Sequence, residues 1–323
     1  MSKVIAIGEA LIDFIPHEKG RKLKNVDNFL RVPGGAPLNV VAAVCKLGGN
    51  GKMLTKLGED AFGDIIIDTV EPLGVDVSGI LRTKEANTAL AFVSLKEDGE
   101  RDFSFYRNPS ADMLLTAEEI KEEDFNSGDV LHFCSVSLID APIKRAHKKA
   151  IEYATKNNCI ISFDPNIRLP LWETSEKCRE AILEFIPMAN ILKVSDEELE
   201  FITGIKDENK ALESLFTGNV KVVIYTKGTN GADFITKNNI SFAPSYKVKV
   251  EDTTGAGDSF IGAVLYKISS NNLTINDLVD LSEEEKKEIL VFANATAAVT
   301  VSKKGAIIAL PTIEEVNKMI AKK

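Results

Sequence analysis

The stretch VEDTTGAGDSF, residues 250–260, places a carboxylate where a strand pattern gives way to a helical one. Gly255 and Gly257 free the backbone between them to turn its amides toward one point. The positive end of the following helix adds to this, so the segment predicts a cradle for an anion. Asp258 then has two interpretations: a helix N-cap, which contributes about 1 kcal/mol, or a catalytic carboxylate beside the anion. Spacing alone favours the cap.

A second glycine-rich segment, PGGAPLNVVAAVCKLGG, begins a predicted helix near the amino terminus. Pro37 lies in the first turn of this helix, and Asn39 follows beside backbone amides that have no partner within a helix. Gly34 and Gly35 are consistent with an ordinary helix start. They are equally consistent with a ligand that approaches the backbone and is bound by Asn39.

Other polar side chains lie at the ends of predicted strands. Asp13 is the only charge in the apolar run ALIDF, so a buried carboxylate there needs donors from the protein or from the hydroxyls of a bound polyol. In FDPNIR, the residues Asp164, Asn166 and Arg168 follow a strand together. Loop polarity explains this group as well as a ligand does.

Two further segments combine polar residues with a turn or a helix start. Ser195 and Glu198 have the spacing of a capping box, which is a structural interpretation. Lys227 and Gly228 lie in a glycine-containing turn directly after the strand pattern VKVVIYT. Such a turn is able to bind phosphate through its amides.

The elements that must position these residues follow an alternating pattern. From residue 130 onward, short apolar runs such as VLHFCSVSL and CIISFD are each followed by an amphipathic helical pattern. This alternation predicts the α/β class, with a doubly wound, mainly parallel sheet flanked by helices. Ligands of such sheets bind outside the carboxyl ends of the strands, where the candidate residues lie.

The first third of the chain has a different pattern. TALAFVSL and RDFSFYR are alternating segments joined by KEDGE, and Asp98–Gly99 is a turn signal for an antiparallel hairpin. We expect one domain over residues 1–323, with a small β lid contributed by residues 10–33 and 87–112. The strand edges of this lid predict a homodimer, because such edges are commonly protected by pairing.

Composition excludes several classes of function. Acidic residues number 48 against 39 basic ones, a formal charge of −9, so no net field recruits nucleic acid or an anionic membrane. No apolar run is long enough to cross a bilayer, and the four cysteines form no C-x-x-C pair. Neither a P-loop nor a G-x-G-x-x-G segment is present, and the three histidines do not cluster. We expect reduced thiols and a cytoplasmic location.

Taken together, these motifs resemble a known family. GGAPLNVVAAVCKLGG and DTTGAGDSFIGAV resemble the two signature regions of the ribokinase-like, or PfkB, carbohydrate kinases, in the same order and at a matching separation. GEALIDF, GERDFSFYRNPSADMLL, FDPNIRLPLW and KVSDEELEFITG are most similar to fructokinases. The resemblance covers essentially the whole chain. It implies ATP-dependent phosphorylation of a primary alcohol of a sugar, which for fructose is the 6-hydroxyl.

The resemblance also implies roles for individual residues. It assigns the general base to Asp258, which the helix end would keep ionised, and an anion hole to the amides of Gly255, Ala256 and Gly257. The residues that it implies at the sugar are Asp13, Gly34, Gly35, Asn39, Phe105, Arg107 and Arg168. Those implied along the nucleotide are Lys227, Gly228 and Asn294.

The cofactors implied by the resemblance are ATP and Mg²⁺. This chain has Ser195 where much of the family has the asparagine of N-x-x-E, so a magnesium role through water is expected of Glu198. Some relatives also bind a monovalent cation such as K⁺ near the positions of Asp252 and Thr254. The sequence is compatible with either the presence or the absence of that ion.

Two other functions stay open at this point. The same chemistry would serve another acceptor, such as ribose, 2-keto-3-deoxygluconate or a nucleoside, because the side chains of the lid decide the acceptor. A sugar-sensing protein that has lost catalysis is the third hypothesis. The presence of Asp258 argues against it, because a pure binder needs no base.

Overall fold

The computed structural model describes residues 1–18, 20–95 and 101–322. The predicted turn at Asp98–Gly99 lies outside the described residues. The strands, in chain order, are β1 (Lys3–Ile7), β2 (Leu11–Pro16), β3 (Phe29–Gly34), β4 (Asn50–Gly58), β5 (Val75–Asp76), β6 (Ile80–Thr83), β7 (Ala89–Leu95), β8 (Arg101–Tyr106), β9 (Val130–Cys134), β10 (Ile160–Asp164), β11 (Ile191–Ser195), β12 (Val222–Thr226), β13 (Ala232–Ile235) and β14 (Ile240–Ala243). The α-helices are α1 (Ala36–Lys46), α2 (Ala61–Val70), α3 (Pro142–Lys156), α4 (Ser175–Phe185), α5 (Asp196–Thr203), α6 (Glu208–Ser214), α7 (Ala256–Ser270), α8 (Ile275–Asp280), α9 (Glu283–Val301) and α10 (Ile313–Ile320).

The larger sheet has the order β14-β13-β12-β11-β10-β9-β1-β4-β5, with β6 also paired to β4. All pairs from β12 to β5 are parallel, and only β13 and β14 join in antiparallel fashion. The chain moves outward from β1 in both directions, first to β4 and later to β9. The prediction of a doubly wound, mainly parallel sheet is therefore confirmed.

Helices cover both faces of this sheet, which explains why its strands are almost continuously apolar. In β9, Leu131 and Phe133 point into one core, which contains Phe185 of α4. Val130 of the same strand points into the opposite core, which contains Val264 of α7. Because alternate residues of a strand face opposite sides, both sets must be apolar.

The smaller sheet has the order β3-β2-β7-β8. Its strands come from the segments where a lid was predicted, and β7 and β8 form the predicted antiparallel hairpin. Asp13 pairs with Ala91, which pairs with Phe105, so these three side chains share one face of the sheet. The other face carries Phe14 and Phe92, whose rings stack at 4.6 Å between centroids.

Two features bear on the surroundings of the protein. In the ranges that the structure covers, no helix is both long and apolar enough to cross a membrane. The four cysteines, Cys45, Cys134, Cys159 and Cys178, are buried and free. Burial raises the pKa of the Cys45, Cys159 and Cys178 thiols to about 12, which keeps these groups protonated and unreactive.

Candidate active site

Asp258 lies in the first turn of α7 but does not cap it. The N-cap is Gly255, which adopts a left-handed conformation with φ of 75° and provides no side-chain cap. The Asp258 carboxylate instead accepts hydrogen bonds from Asn39 Nδ2 at 2.7 Å and from Asn166 Nδ2 at 3.2 Å. The interpretation of Asp258 as an N-cap is therefore wrong. The side chain is held by α1 and by the loop after β10.

The surroundings of Asp258 adjust its basicity. Only 8% of the residue is exposed, and burial raises the pKa of its carboxyl group. The hydrogen bond from Asn39 and the positive charges of Arg168 and Lys193 lower this pKa, but their combined effect is smaller. The helix end alone would have favoured the ionised form, and burial outweighs it. A pKa raised toward neutral pH suits a group that must accept a proton.

Asp258 faces a cleft of about 260 Å³ between the small sheet and the carboxyl ends of the larger one. The structure brings most of the predicted sugar-site residues to it. The predicted residues that line the cleft are Asp13, Gly35, Asn39, Phe105, Arg168, Thr254, Gly255, Ala256, Gly257 and Asp258.

Gly34 and Gly35 are required by close approaches behind this cleft. A Cβ on Gly34 would lie 2.2 Å from Asp13 Oδ2, so only glycine leaves room for that carboxylate. Gly35 has φ of 107°, and a Cβ there would lie 2.5 Å from the backbone oxygen of Glu9. These glycines therefore allow β3 and α1 to pack directly against the cleft.

A second cleft, of about 640 Å³, lies on the other side of the first turn of α7. Its lining includes Gly228 and Asn294, together with an apolar wall that contains Val250 and Ala297. Asn294 Nδ2 donates a hydrogen bond to the backbone oxygen of Ala243 at 3.0 Å, which ties α9 to the end of β14. The two clefts have four lining residues in common: Lys193, Thr253, Ala256 and Gly257. They therefore meet at the glycine-rich turn.

Lys193 was not predicted as a site residue, although it lies at the meeting point of both clefts. It is buried near the carboxyl end of β11, and its Nζ lies 2.9 Å from Asp164 Oδ2 and 3.1 Å from Asp164 Oδ1. Burial disfavours the charged form, but Asp164 and Glu198 outweigh this and raise the pKa of Lys193. The ammonium group is therefore charged beside the turn. A lysine within the apolar run NILKVS was the available signal.

Glu9 and Asn166 are two further cleft residues without an assigned role in the sequence prediction. Both line the cleft of about 260 Å³, which is called the sugar-side cleft below because most of the predicted sugar-site residues line it. Asn166 adopts a left-handed conformation with φ of 45°. This conformation is tolerated by asparagine more readily than by most residues. Pro165 precedes Asn166, so the signal was the FDPN sequence itself.

Arg107 and Lys227 are not among the described residues that line either cleft. The guanidinium group of Arg107 is buried and forms an ion pair with Asp112, and it also donates to the backbone oxygen of Val136 at 3.3 Å. Lys227 Nζ lies 2.8 Å from Asp233 Oδ2. Both positive charges are therefore paired with nearby carboxylates of the protein.

Glu198 is engaged in the predicted capping box. Its Oε2 accepts hydrogen bonds from the amide of Ser195 at 3.0 Å and from Ser195 Oγ at 2.8 Å. Its Oε1 accepts the amide of Ile167 at 2.8 Å. Burial tends to raise the pKa of Glu198, but Lys193 and these hydrogen bonds lower it overall. The capping-box prediction is confirmed, and the carboxylate is charged.

Asp252 and Thr254 order the loop that leads into α7. Asp252 Oδ1 accepts hydrogen bonds from the Thr254 amide at 2.9 Å and from Thr254 Oγ1 at 2.7 Å. Asp252 Oδ2 accepts the amide of Gly305 at 3.0 Å. These bonds connect the glycine-rich turn to the segment after α9.

Comparisons with known proteins agree with this geometry. The family profile described as pfkB family carbohydrate kinase matches residues 1–313. A probable fructokinase-2 from Arabidopsis thaliana is 47% identical over 312 residues, which is 96% of this chain and 93% of the relative. A crystal structure of a fructokinase with bound ATP from Xylella fastidiosa superposes with a TM-score of 0.90 at 35% identity, covering 99% of this chain and 98% of that chain.

A third relative was solved with both a sugar and a nucleotide. Structures of the fructokinase from Vibrio cholerae O395 contain fructose and ADP, together with potassium ion in a double mutant and with calcium ion in a second structure. Each has a TM-score of 0.88 at 30% identity and covers 99% of this chain, and the match covers 98% and 99% of the relative's chains, respectively. These matches confirm the resemblance seen in the sequence motifs. Because the family match and the relatives span nearly its whole length, the chain belongs to the pfkB family of carbohydrate kinases.

Proposed function

We propose that the chain transfers the γ-phosphoryl group of ATP to the 6-hydroxyl of D-fructose and so produces D-fructose 6-phosphate. The observation that carries this proposal is that two clefts meet at the first turn of α7, beside the buried carboxylate of Asp258. A sugar in the smaller cleft and a nucleotide in the larger one would have their reacting groups at that turn. The fructokinase relatives support fructose as the acceptor.

In this proposal Asp258 is the general base. Its carboxylate accepts the proton of the sugar hydroxyl as the oxygen attacks phosphorus. Asn39 and Asn166 hold the carboxylate in place through their Nδ2 atoms. The amides of Gly255, Ala256 and Gly257 stabilise the negative charge of the transferring group, and the ammonium of Lys193 lies beside them.

The remaining predicted residues of the sugar-side cleft orient the acceptor. Asp13 accepts hydrogen bonds from sugar hydroxyls, and Gly34 leaves the space that its carboxylate occupies. Phe105 covers the sugar from the small sheet, and Arg168 approaches the sugar or the phosphate from the loop after β10. Arg107 acts indirectly, because its guanidinium group is paired with Asp112 behind the cleft. A sheet that covers the cleft would also keep water from the γ-phosphate.

The larger cleft receives ATP. Its apolar wall suits a purine base, and Gly228 and Asn294 lie along it. Lys227, which is paired with Asp233, is expected near the phosphates or the base only if that ion pair opens. Lys193 is buried and lines this cleft, so its ammonium group is the positive charge that we place at the phosphates.

The proposed metals fit the donors that the site offers. No group of three acidic, histidine or cysteine side chains able to hold a metal occurs in the described ranges, and both oxygens of Glu198 already accept hydrogen bonds. This donor set fits Mg²⁺ that is held mainly by phosphate oxygens and water, with Glu198 acting through a water molecule. Bound Mg²⁺ neutralises charge on the phosphates. A monovalent cation such as K⁺ is proposed at the loop of Asp252 and Thr254, since the relative from Vibrio cholerae was solved with potassium.

The small sheet and the buried cysteines each support a further proposal. Its edge strands β3 and β8 have exposed apolar residues, with Leu30 37% and Tyr106 62% exposed, and we propose that a second copy covers them in a homodimer. The free, buried cysteines suit a reducing compartment, which supports the cytoplasm. Residues 1–323 would then act as one catalytic domain with a β lid.

The test is a panel of acceptors with the purified chain, ATP and Mg²⁺, followed by coupled detection of ADP. We expect fructose to have a kcat/KM at least about tenfold above that of ribose, 2-keto-3-deoxygluconate or a nucleoside. Identification of the product by ³¹P NMR would locate the phosphate on the sugar. A strong preference for another acceptor would overturn the choice of fructose. Tight sugar binding without turnover would instead establish a sugar-sensing protein.

A further inference from the structure

Glu9 is a buried carboxylate in the sugar-side cleft whose oxygens are engaged by the protein. Only 2% of the residue is exposed, although it follows β1 at the mouth of the site. Its Oε1 accepts the backbone amide of Ala36 at 3.1 Å, and its Oε2 accepts Ser137 Oγ at 2.8 Å. Both oxygens are therefore held in place by donors from the protein.

The amide that Glu9 accepts is the first one of α1. The N-cap of this helix is Gly35, which has no side chain to cap it, so the Ala36 amide would otherwise lack a partner. Glu9 therefore supplies the missing cap from a distant part of the chain. A carboxylate at a helix amino terminus is also stabilised by the helix dipole.

The backbone around Glu9 fits the start of α1 equally closely. A Cβ on Gly35 would lie 2.5 Å from the Glu9 backbone oxygen, and a Cβ on Gly8 would lie 2.7 Å from Pro37 Cγ. The side chain and the backbone of Glu9 thus both fix the position of the first turn of α1 relative to the end of β1. Small displacements of this turn would be resisted by contacts at Gly8, Glu9, Gly35 and Pro37.

Asn39 connects this first turn of α1 to the proposed base. Its backbone amide donates to the Gly35 backbone oxygen at 2.9 Å, within the same turn that Glu9 caps. Its Nδ2 donates to Asp258 Oδ2 at 2.7 Å. A continuous series of contacts therefore runs from Glu9 through Ala36 and Asn39 to Asp258.

Ser137 links Glu9 to the small sheet as well. Arg107, directly after β8, donates to Ser137 Oγ at 3.4 Å and from Nε to Asp112 Oδ2 at 3.2 Å. Arg107 also attracts Glu9 through charge, which partly opposes the rise in the pKa of Glu9 that burial causes. The end of β8 and the start of α1 thus share one buried polar network.

We propose that Glu9 is a positioning residue, which caps α1 from the end of β1 and, with Ser137 and Arg107, holds Asn39 in register against Asp258. This inference rests on the proposed function for its kinetic consequence. Its structural consequence, the anchoring of the first turn of α1, is independent of that function. Glu9 itself contacts no reacting atom.

The kinetic test uses Glu9→Ala, which removes both acceptor oxygens, with Glu9→Gln, which keeps an acceptor for the Ala36 amide, as its matched control. In Glu9→Ala we expect kcat to fall about tenfold, with KM for fructose changed by less than about twofold, because orientation rather than binding is lost. Ser137→Ala removes one partner of Glu9 and should lower kcat by about twofold to threefold. A raised KM with an unchanged kcat would instead identify direct sugar binding and overturn the proposal.

A double-mutant cycle distinguishes positioning through Asn39 from an independent effect. If Glu9 acts through Asn39, then Glu9→Ala combined with Asn39→Ala should be no slower than Asn39→Ala alone. Multiplicative losses would contradict the proposed series of contacts. The cycle is run with whichever acceptor the panel selects.

Hydrogen–deuterium exchange provides a readout that does not depend on activity. In Glu9→Ala, which leaves the Ala36 amide without its acceptor, the amides of Ala36, Leu38 and Asn39 should exchange at least about tenfold faster than in the unaltered chain. The start of α10, which is capped by its own Thr312, should not change. Unchanged exchange at these three amides would overturn the proposal even if the chain proved inactive toward every sugar. An inactive unaltered chain would count against the proposed function alone.

Discussion

Replacement of Asp258 by asparagine removes the proposed proton acceptor and retains its shape. The two carboxylate oxygens now accept from Asn39 Nδ2 at 2.7 Å and from Asn166 Nδ2 at 3.2 Å. An asparagine has a single carbonyl oxygen, so one of these donors loses its acceptor, which costs about 1–3 kcal/mol. Part of this cost is offset, because burial destabilises the charged carboxylate, as the raised pKa of Asp258 indicates, and asparagine has no charge. We expect the free energy of unfolding to fall by no more than about 2 kcal/mol.

The effect on turnover should be much larger than the effect on stability. A positioned general base contributes about 10²–10⁴ to the rate, so kcat for fructose should fall at least about a hundredfold in Asp258→Asn. This corresponds to about 2.7 kcal/mol of lost transition-state stabilisation. KM for fructose should stay within about threefold, because Asp13 and the glycine backbone that border the proposed sugar position are unchanged. Coupled ADP detection measures both constants, and urea denaturation measures stability.

Asp129→Asn is a matched control. Asp129 is also a buried carboxylate and accepts the amides of Lys3 at 2.8 Å and Asn126 at 3.0 Å, but it precedes β9 at the opposite edge of the sheet. The control should lose stability and keep its turnover. A folded Asp258→Asn protein with kcat within about threefold of the unaltered chain would refute the role of Asp258 as base.

Two further predictions concern the glycine-rich turn and the buried histidines. Gly257→Ala would bring a Cβ to 3.3 Å from Lys193 Nζ, so kcat should fall at least about tenfold. The stability of α7 should be kept or raised, because alanine favours a helix more than glycine does. Unchanged kinetics would contradict the proposed anion hole at this turn. Burial lowers the pKa of His132 to about 3 and that of His147 to about 4. Below about pH 6.5 the unfolded chain binds protons that the folded chain does not, so the free energy of unfolding should fall by about 2 kcal/mol per histidine from about pH 7.5 to about pH 5. Urea denaturation at both pH values should show that His147→Gln loses about 2 kcal/mol less stability on acidification than the unaltered chain, and an equal loss in both proteins would contradict this.

The fold was predictable because the pattern of apolar residues depends on local geometry. Runs such as VLHFC and CIISFD are mostly apolar on both faces, with single polar residues such as His132 and Ser162, since both faces of the sheet are covered. The glycine-rich segments were equally visible in the sequence. Gly255 adopts a left-handed backbone conformation, and Gly35 allows a close approach of the Glu9 backbone, both of which other residues rarely permit. Sequence therefore indicated the alternation of strands and helices after residue 130, the hairpin of the small sheet and the glycine-rich turn, whereas β4–β6 and α2 were not predicted.

The charged partners of the site were harder to predict, because they depend on strand register and on bonds between distant segments. Phe163 pairs with Leu192 in the parallel ladder of β10 and β11, and this register brings Asp164 beside Lys193. A shift of one residue would send the lysine to the other face of the sheet. The pattern of apolar residues around Lys193 does not specify that register, so the sequence analysis assigned Lys193 no role beyond its place in a strand. The same reasoning applies to Glu9, whose partner Ala36 lies 27 residues away. Residue type and spacing can locate the glycine-rich turn, but the charges that surround it are assembled only when the sheet forms.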